Sequence, residues 1–210
     1  IDNSCKIISL STSTITTKQS IGLLCGSMGT NSNIYSCNVK GYIDIKNFSG
    51  DLRIGGISYY SNGGSCFNCN VEPIITVESD YDAFIQIGGI IQVSAYTIRY
   101  CNIHPSINII NNVSNRRQKI NIGGVVCNNN TSNNNIVETF CDTHINIIDP
   151  YYTSSSTYYN LNTILNYTTN RKEYIYSPGN LISINNQLFI ESEANKKYTD
   201  ISIDQIKNGY

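Results

Sequence analysis

Four copies of one unit occupy the middle of this chain, and each copy begins with a short aliphatic stretch that contains glycine. The stretches are IGLL at 21–24, IGGI at 54–57, IGGI at 87–90 and IGGV at 122–125. Their first glycines are Gly22, Gly55, Gly88 and Gly123, so successive copies start 33, 33 and 35 residues apart. A unit of this length buries too little apolar surface to fold alone. The repeat therefore restricts the chain to an architecture in which copies stack on one another.

A cysteine follows each of these stretches and begins a second shared segment. These segments are CNVK at 37–40, CNVE at 69–72, CNIH at 101–104 and CDTH at 141–144, with steps of 32, 32 and 40 residues between the cysteines. Two aliphatic residues at alternate positions follow, six and eight residues after the first three cysteines but four and six after the fourth: Ile43 and Ile45, Ile75 and Val77, Ile107 and Ile109, Ile145 and Ile147. The period of two predicts strands, and β-branched residues, Tyr and Asn are poor helix formers.

The unit is predicted to be one coil of three short strands. We expect an all-β fold, a right-handed parallel β-solenoid (β-helix) of about four to five coils with divergent ends. Residues 1–20, with the strand-like STSTITT at 11–17, form a cap or partial coil; residues 21–150 form the solenoid; residues 151–210 form a divergent final coil, a cap or an intersubunit segment. Glycines mark bends where a side chain would collide with neighbouring backbone: Gly22, Gly55, Gly56, Gly88, Gly89, Gly123 and Gly124.

Two C-x-x-H pairs, in CNIH and CDTH, are the spacing from which zinc sites are built. In a strand, however, Cys101 and His104 point to opposite sides of the sheet. The aligned positions agree, because the second residue after each cysteine is mostly of core type (Val39, Val71, Ile103, Thr143) and the third is of surface type (Lys40, Glu72, His104, His144). We therefore expect no metal site, with both histidines outward and stacked in successive coils. The C-x-x-C of Cys66 and Cys69 is also a weak candidate for a metal site, because Cys66 is predicted to lie in a turn.

Eight cysteines are present, and four of them form the predicted ladder: Cys37, Cys69, Cys101 and Cys141. As buried thiols they behave like small hydrophobes. The spacing of about 4.8 Å between rungs also permits disulfides, so the ladder is expected to hold free or mixed thiols. The remaining candidates for bridges are Cys5, Cys25, Cys66 and Cys127.

Charge is scarce, at 14% of residues with a formal net charge of −1, against roughly 25% charged residues in typical domains. No basic segment supports nucleic-acid binding, and no apolar run approaches the roughly 20 residues that cross a bilayer. Low charge also favours self-association. The even cysteine count and five N-x-S/T sequons, at Asn47, Asn112, Asn129, Asn130 and Asn166, favour a secreted or cell-surface protein.

Enzymatic activity is not expected, and no cofactor is predicted. The chain lacks the G-x-S-x-G, H-E-x-x-H and phosphate-loop motifs. Acidic residues cluster in VESDYD, at Glu78, Asp80 and Asp82, and two arginines adjoin at 116 and 117. A solvated acidic turn or weak cation site is the expected outcome for VESDYD, although clustered carboxylates are also what a glycan-cleaving β-helix would need.

The glycine turns followed by short aliphatic strands resemble the GLUG-type repeats of large secreted and cell-surface proteins. The resemblance covers roughly residues 20–150, and this chain departs from the pattern by a cysteine in the second strand and an insertion in the fourth copy. It implies an extracellular β-helical protein with a structural or adhesive role, and it carries no catalytic residues with it.

The predicted function is a non-enzymatic structural subunit of an extracellular filament or coat, whose partners are further copies of itself or other solenoid subunits. The alternative is an adhesin module that holds glycans with Tyr and Asn side chains, because aromatic rings and amides suit sugars. Tyr pairs at 59–60, 151–152 and 158–159 are candidates for such a surface or for packing. A polysaccharide-active enzyme is the third interpretation.

Overall fold

The computed structural model describes residues 6–9, 18–48, 50–79, 83–113, 119–128, 135–153, 159–162, 172–176 and 181–188. The regular structure in these ranges is entirely β. Its strands are β1 (Lys6–Ser9), β2 (Gln19–Gly22), β3 (Ser27–Met28), β4 (Asn33–Tyr35), β5 (Asn38–Ile45), β6 (Gly50–Gly55), β7 (Ser58–Phe67), β8 (Asn70–Ser79), β9 (Ala83–Gly88), β10 (Ile91–Arg99), β11 (Asn102–Ile103), β12 (Ser106–Asn111), β13 (Lys119–Gly123), β14 (Val126–Asn128), β15 (Asn135–Cys141), β16 (His144–Ile148), β17 (Tyr159–Asn162), β18 (Lys172–Tyr176), β19 (Leu181–Ile184) and β20 (Gln187–Leu188).

The chain is a parallel β-solenoid of about four turns, which confirms the predicted fold class. Each turn contributes strands to three faces. The first face is a five-stranded sheet in the order β2, β6, β9, β13, β17. The second face runs through β7, β10, β15 and β18, and the third through β1, β5, β8, β12, β16 and β19. The second and third faces belong to one fifteen-stranded sheet.

Aliphatic residues form the core in vertical columns. On the third face Ile43, Ile75, Ile107, Ile145 and Ile182 lie directly above one another, and all are buried. The residues between them alternate outward, as the burial pattern of β8 shows. Stacked branched side chains fill the interior because parallel strands keep equivalent residues in register.

The turn from the first to the second face depends on its glycines. A Cβ on Gly89 would lie 1.9 Å from the carbonyl oxygen of Gly124 in the next coil and 2.8 Å from Cγ of Pro105. Gly56 has the same relation to Gly89 and Pro73. Rung hydrogen bonds continue through this turn, from Gly89 N to Gly123 O (3.2 Å) and from Ile90 N to Val125 O (2.9 Å). The turn is therefore too narrow for any side chain at these positions.

The turn from the second to the third face depends on a left-handed backbone conformation instead of on glycine. Its residue adopts a left-handed conformation in all four coils, with φ of 50° at Ser36, 53° at Asn68, 55° at Tyr100 and 51° at Glu138. None of these is glycine, and for Tyr and Glu this region is uncommon. The backbone repeats the same bend in each coil because the rungs above and below hold it.

The fourth coil contains three extra residues, and the register locates them. Val93 pairs with Asn128, an offset of 35, whereas Thr97 pairs with Asn135, an offset of 38. The insertion therefore lies between Asn128 and Asn135. The offset then stays at 38 from Asn102↔Phe140 to Ile110↔Ile148.

Both ends of the solenoid continue the rungs beyond the four repeats. Strand β1 pairs with β5 as the third-face strand of an earlier coil, within the predicted N-terminal cap. Strands β17, β18 and β19 add a further partial coil, in which Asn162 takes the position of the turn glycine. Strand β20 then folds back antiparallel on β19. The STSTITT segment at 11–17 lies outside the described residues.

Candidate functional site

The outer surface of the third face carries a column of ionisable side chains, here called the charged column, in which basic and acidic residues alternate. Register places Lys40, Glu72, His104 and Asp142 in successive coils. Lys40 Nζ lies 2.7 Å from Glu72 Oε2, and His104 Nδ1 lies 3.7 Å from Asp142 Oδ2. The hydrogen bond from Lys40, followed by that from Asn70, lowers the pKa of the Glu72 carboxyl. The Lys40–Glu72 ion pair therefore stabilises the stacking of the two coils that carry it by opposite charges.

The two histidines are outward but are not stacked on each other, which corrects the prediction. His144 lies above Ser106, and Asp142 lies above His104. Asp142 is placed between the imidazoles, with His144 Nε2 3.3 Å from its Oδ1. That oxygen is buried and accepts no hydrogen bond from the described residues.

Next to the charged column, asparagines form a ladder of amide hydrogen bonds. Asn70 Nδ2 donates to Asn38 Oδ1 (3.1 Å), and Asn102 Nδ2 donates to Asn70 Oδ1 (3.0 Å). The amide oxygen of Asn102 faces His104 Nε2 at 2.9 Å. In the fourth coil this position holds Phe140, whose ring centroid is 5.1 Å from that of His104.

Aromatic rings line the corner beside this ladder. Tyr35 and Phe67 stack at 5.3 Å with their planes 10° apart, and the Arg99 guanidinium carbon lies 4.7 Å from the centre of the Tyr100 ring. Arg99 Nε also donates to Glu138 Oε2 at 2.6 Å. Tyr35 and Tyr100 are 59% and 55% exposed. We call the surface formed by Tyr35, Phe67, Tyr100 and Phe140 the aromatic corner.

Inside the corner, Cys37, Cys69 and Cys101 form a vertical column, since Asn38, Asn70 and Asn102 beside them are in register. Cys69 and Cys101 are buried, and Cys37 is half-buried. The Cys69 thiol donates to Phe67 O at 3.2 Å and the Cys101 thiol to Arg99 O at 3.4 Å. The interaction between the two thiols lowers the pKa of Cys69 and raises that of Cys101. Burial raises the pKa of the neighbouring Cys66 thiol.

Cys141 does not belong to this column, contrary to the predicted four-membered ladder. It lies above Ile103, and the ladder position of the fourth coil is taken by buried Thr139. The CDTH segment resembled CNIH but is displaced by two residues. Because side chains alternate with a period of two, that displacement leaves Cys141 inward and His144 outward. It also explains why Ile145 follows its cysteine two residues too early.

The other cysteines are also free thiols, namely Cys25, Cys66, Cys127 and Cys141, so the described part of the chain holds no disulfide. Cys66 is buried within strand β7 rather than in the predicted turn. Cys127 Sγ donates to Asn121 O at 3.1 Å. Cys5 lies outside the described residues, as do the sequon asparagines Asn129, Asn130 and Asn166. Asn47 is half-buried with φ of 53°, and Asn112 is exposed.

A polar cluster around the buried Asp149, at the turn from the third to the first face, was not predicted. Tyr159 OH donates to Asp149 Oδ2, Asn111 Nδ2 donates to Tyr159 OH at 3.2 Å, and Asn185 Nδ2 donates to Asp149 O at 2.7 Å. Burial first, then the bond to Asp149, raises the pKa of Tyr159. The cluster ties the fourth coil to those on either side. The sequence offered little to indicate it, because Asp149 lies beside Pro150 and resembles an ordinary turn residue.

The residues considered for metal or catalytic chemistry are dispersed by the fold. Cys101 points into the core and His104 lies on the outer surface. Glu78 forms an ion pair with Lys46 at 3.4 Å. Asp80, Asp82 and the two arginines at 116 and 117 lie outside the described residues. Over the part of the chain that is described, no group of three or more His, Cys, Asp or Glu side chains is placed to hold a metal ion.

Comparison with protein-family models, with curated proteins and with solved structures finds no match to this chain. A search of the described residues for a helix long and apolar enough to cross a membrane also finds none.

Proposed function

We propose that this protein is a non-enzymatic structural subunit of an extracellular assembly, in which solenoids associate with further copies of themselves. The observation that carries the proposal is the register: aliphatic, amide and charged side chains each repeat in columns from coil to coil. A surface built in this way can be continued by another solenoid, because each coil offers its neighbour the same hydrogen-bonding edge. The resemblance to GLUG-type repeats supports the same role.

Exposed apolar side chains on the last described strands favour association there. Leu181 and Leu188, both on the last described strands, are exposed leucines, with Leu188 65% exposed. Few charges oppose close approach, since the formal net charge is −1. An extracellular location is supported by the five sequons.

Sedimentation velocity over a range of protein concentrations, with negative-stain electron microscopy, tests the proposal. We expect concentration-dependent polymers with a rod-like repeat. Leu188→Lys should weaken assembly by placing a charge at the end, whereas Ile148→Lys, at an exposed isoleucine on the side of the third face, should leave end-to-end assembly intact. A monomer at every attainable concentration would contradict the proposal.

A second candidate, glycan binding, is favoured by the aromatic corner. Exposed Tyr35 and Tyr100 lie beside the asparagine ladder, and rings next to amides suit the faces and hydroxyls of sugars. Retention of a monomer on immobilised glycans supports this function. Tyr35→Ala and Tyr100→Ala should abolish retention, and Tyr151→Ala, at an exposed tyrosine away from the corner, should not. Equal retention of all three variants would reject the corner as the binding site.

A further inference from the structure

The cysteine column contains two thiols placed to react with each other. Cys69 and Cys101 are 2% and 3% exposed and occupy equivalent positions in adjacent coils. Cys101 Sγ lies 3.5 Å from the carbonyl oxygen of Cys66, a residue of the preceding coil. The Cys101 side chain therefore reaches down toward the coil that holds Cys69.

We propose that Cys69 and Cys101 form a reversible disulfide that links the second coil to the third. Adjacent parallel strands lie about 4.8 Å apart, which is within the Cα separation of about 4.4–6.8 Å that disulfides adopt. Because Cys69 and Cys101 occupy equivalent positions of adjacent rungs, closure requires a change in side-chain torsions. Cys66 and Cys37 are the nearest competitors, and their different positions make the pairing testable.

The oxidant is a small-molecule disulfide. The Cys69 thiolate attacks one sulfur of this disulfide and expels a first thiolate, which leaves a mixed disulfide on Cys69. Cys101 then loses its proton and attacks the Cys69 sulfur, which forms the Cys69–Cys101 bond and expels the second thiolate. Two protein thiols are oxidised, one disulfide is reduced to two thiols, and the two protons pass to the leaving thiolates. The lowered pKa of Cys69 favours it as the attacking group.

The link closes a loop across one full coil, from residue 69 to residue 101. Loops of this size restrict the unfolded chain, so oxidation should raise Tm by about 10 °C. Dithiothreitol should reverse the rise. Because both thiols are buried, the reaction should be slow and limited by opening of the corner, and it should accelerate in mild denaturant.

The experiment treats the full chain with oxidised glutathione, alkylates the remaining thiols under denaturing conditions and maps the peptides. Trypsin cuts after Arg53, Arg99 and Arg116, so the bond joins peptide 54–99 to peptide 100–116. The expected product is this linked pair, with loss of two alkylatable thiols. The peptide 54–99 holds both Cys66 and Cys69, so fragmentation of the linked pair identifies the participating sulfur without any variant.

Cysteine-to-serine variants provide an independent test of the pairing. Cys69→Ser and Cys101→Ser should lose both the linked peptide and the Tm rise, whereas Cys66→Ser and Cys127→Ser should keep them. The proposal is overturned if the linked peptides join Cys37 to Cys69, if Cys66 is the sulfur bound to Cys101, or if oxidised protein still alkylates at both Cys69 and Cys101. Mass mapping of the unsubstituted chain decides the matter even where a variant fails to fold.

Discussion

Replacing Gly89 by alanine tests whether the glycine turn is as narrow as the rungs require. The new Cβ would lie 1.9 Å from the carbonyl oxygen of Gly124, whereas ordinary van der Waals contact begins at 3.4 Å. The difference, 3.4 − 1.9 = 1.5 Å, must come from separation of the third and fourth coils, because the obstacle is backbone. Pro105 on the opposite face, 2.8 Å from the same Cβ, prevents movement in the other direction.

The cost follows from the hydrogen bonds at the turn. The bonds from Gly89 N to Gly123 O and from Ile90 N to Val125 O are 3.2 and 2.9 Å long, and neither survives a displacement of about 1.5 Å, since hydrogen bonds of this type end near 3.2–3.5 Å. Losing two buried backbone bonds costs on the order of 3–5 kcal/mol. Alanine also lowers the conformational entropy of the unfolded chain, which offsets only about 0.4–1 kcal/mol of this cost.

Urea denaturation followed by far-UV circular dichroism measures this loss of unfolding free energy. In thermal unfolding, Tm should fall by about 10 °C for a chain of this size. Gly29→Ala is the matched control, because its Cβ would meet nothing closer than Ser32 Oγ at 3.6 Å. We expect the control to change the unfolding free energy by less than about 1 kcal/mol. If both variants unfold at the same urea concentration, the argument from turn width is wrong.

Three further predictions concern the register, the charged column and the buried cluster. In a chain that also carries Cys69→Ser, Thr139→Cys extends the cysteine column on the other side of Cys101. Oxidised glutathione should then yield a link between Cys101 and the thiol introduced at position 139 in peptide maps, and a link from Cys101 to the native Cys141 instead would refute the register. The pKa of Glu72 is lower in the folded chain than its ordinary value of 4.5. Its ion pair with Lys40 therefore stabilises the fold above pH 4.5, and this stabilisation is lost as the pH falls through the lower, folded-state pKa. With the carboxylate about a third exposed, Glu72→Gln should cost less than about 1 kcal/mol at pH 7 and flatten the urea-unfolding profile below pH 4.5; an unchanged acid slope would contradict this. Tyr159→Phe removes the hydroxyl that donates to Asp149 Oδ2, while Tyr151 N still donates to Oδ1. The substitution should cost about 1–3 kcal/mol in urea denaturation, and a loss near zero would show that the hydroxyl contributes nothing.

Much of the fold is predictable because the spacing of the repeats along the chain equals the offset between paired residues in adjacent rungs. The steps between Gly22, Gly55 and Gly88 match the rung offset of 33 on the first face, and the steps between Cys37, Cys69 and Cys101 match the offset of 32 on the third. Each coil buries the same positions, so each position selects the same residue type. Alignment of the repeats fails in the fourth copy. The segment with Cys141 and His144 resembles the repeated motif but is displaced from it by two residues in the register.

The sequence by itself determined the coil length, the glycine turns and which side chains face the core, because these depend on local geometry that is repeated in every copy. Only the tertiary structure decided which residue lies above which in the fourth coil, where Asp142 meets His104 and Thr139 replaces a cysteine. It also brought together Asn111, Asp149, Tyr159 and Asn185. Such contacts depend on how an insertion is accommodated and on long-range closure of successive coils, and neither leaves a periodic signal along the chain.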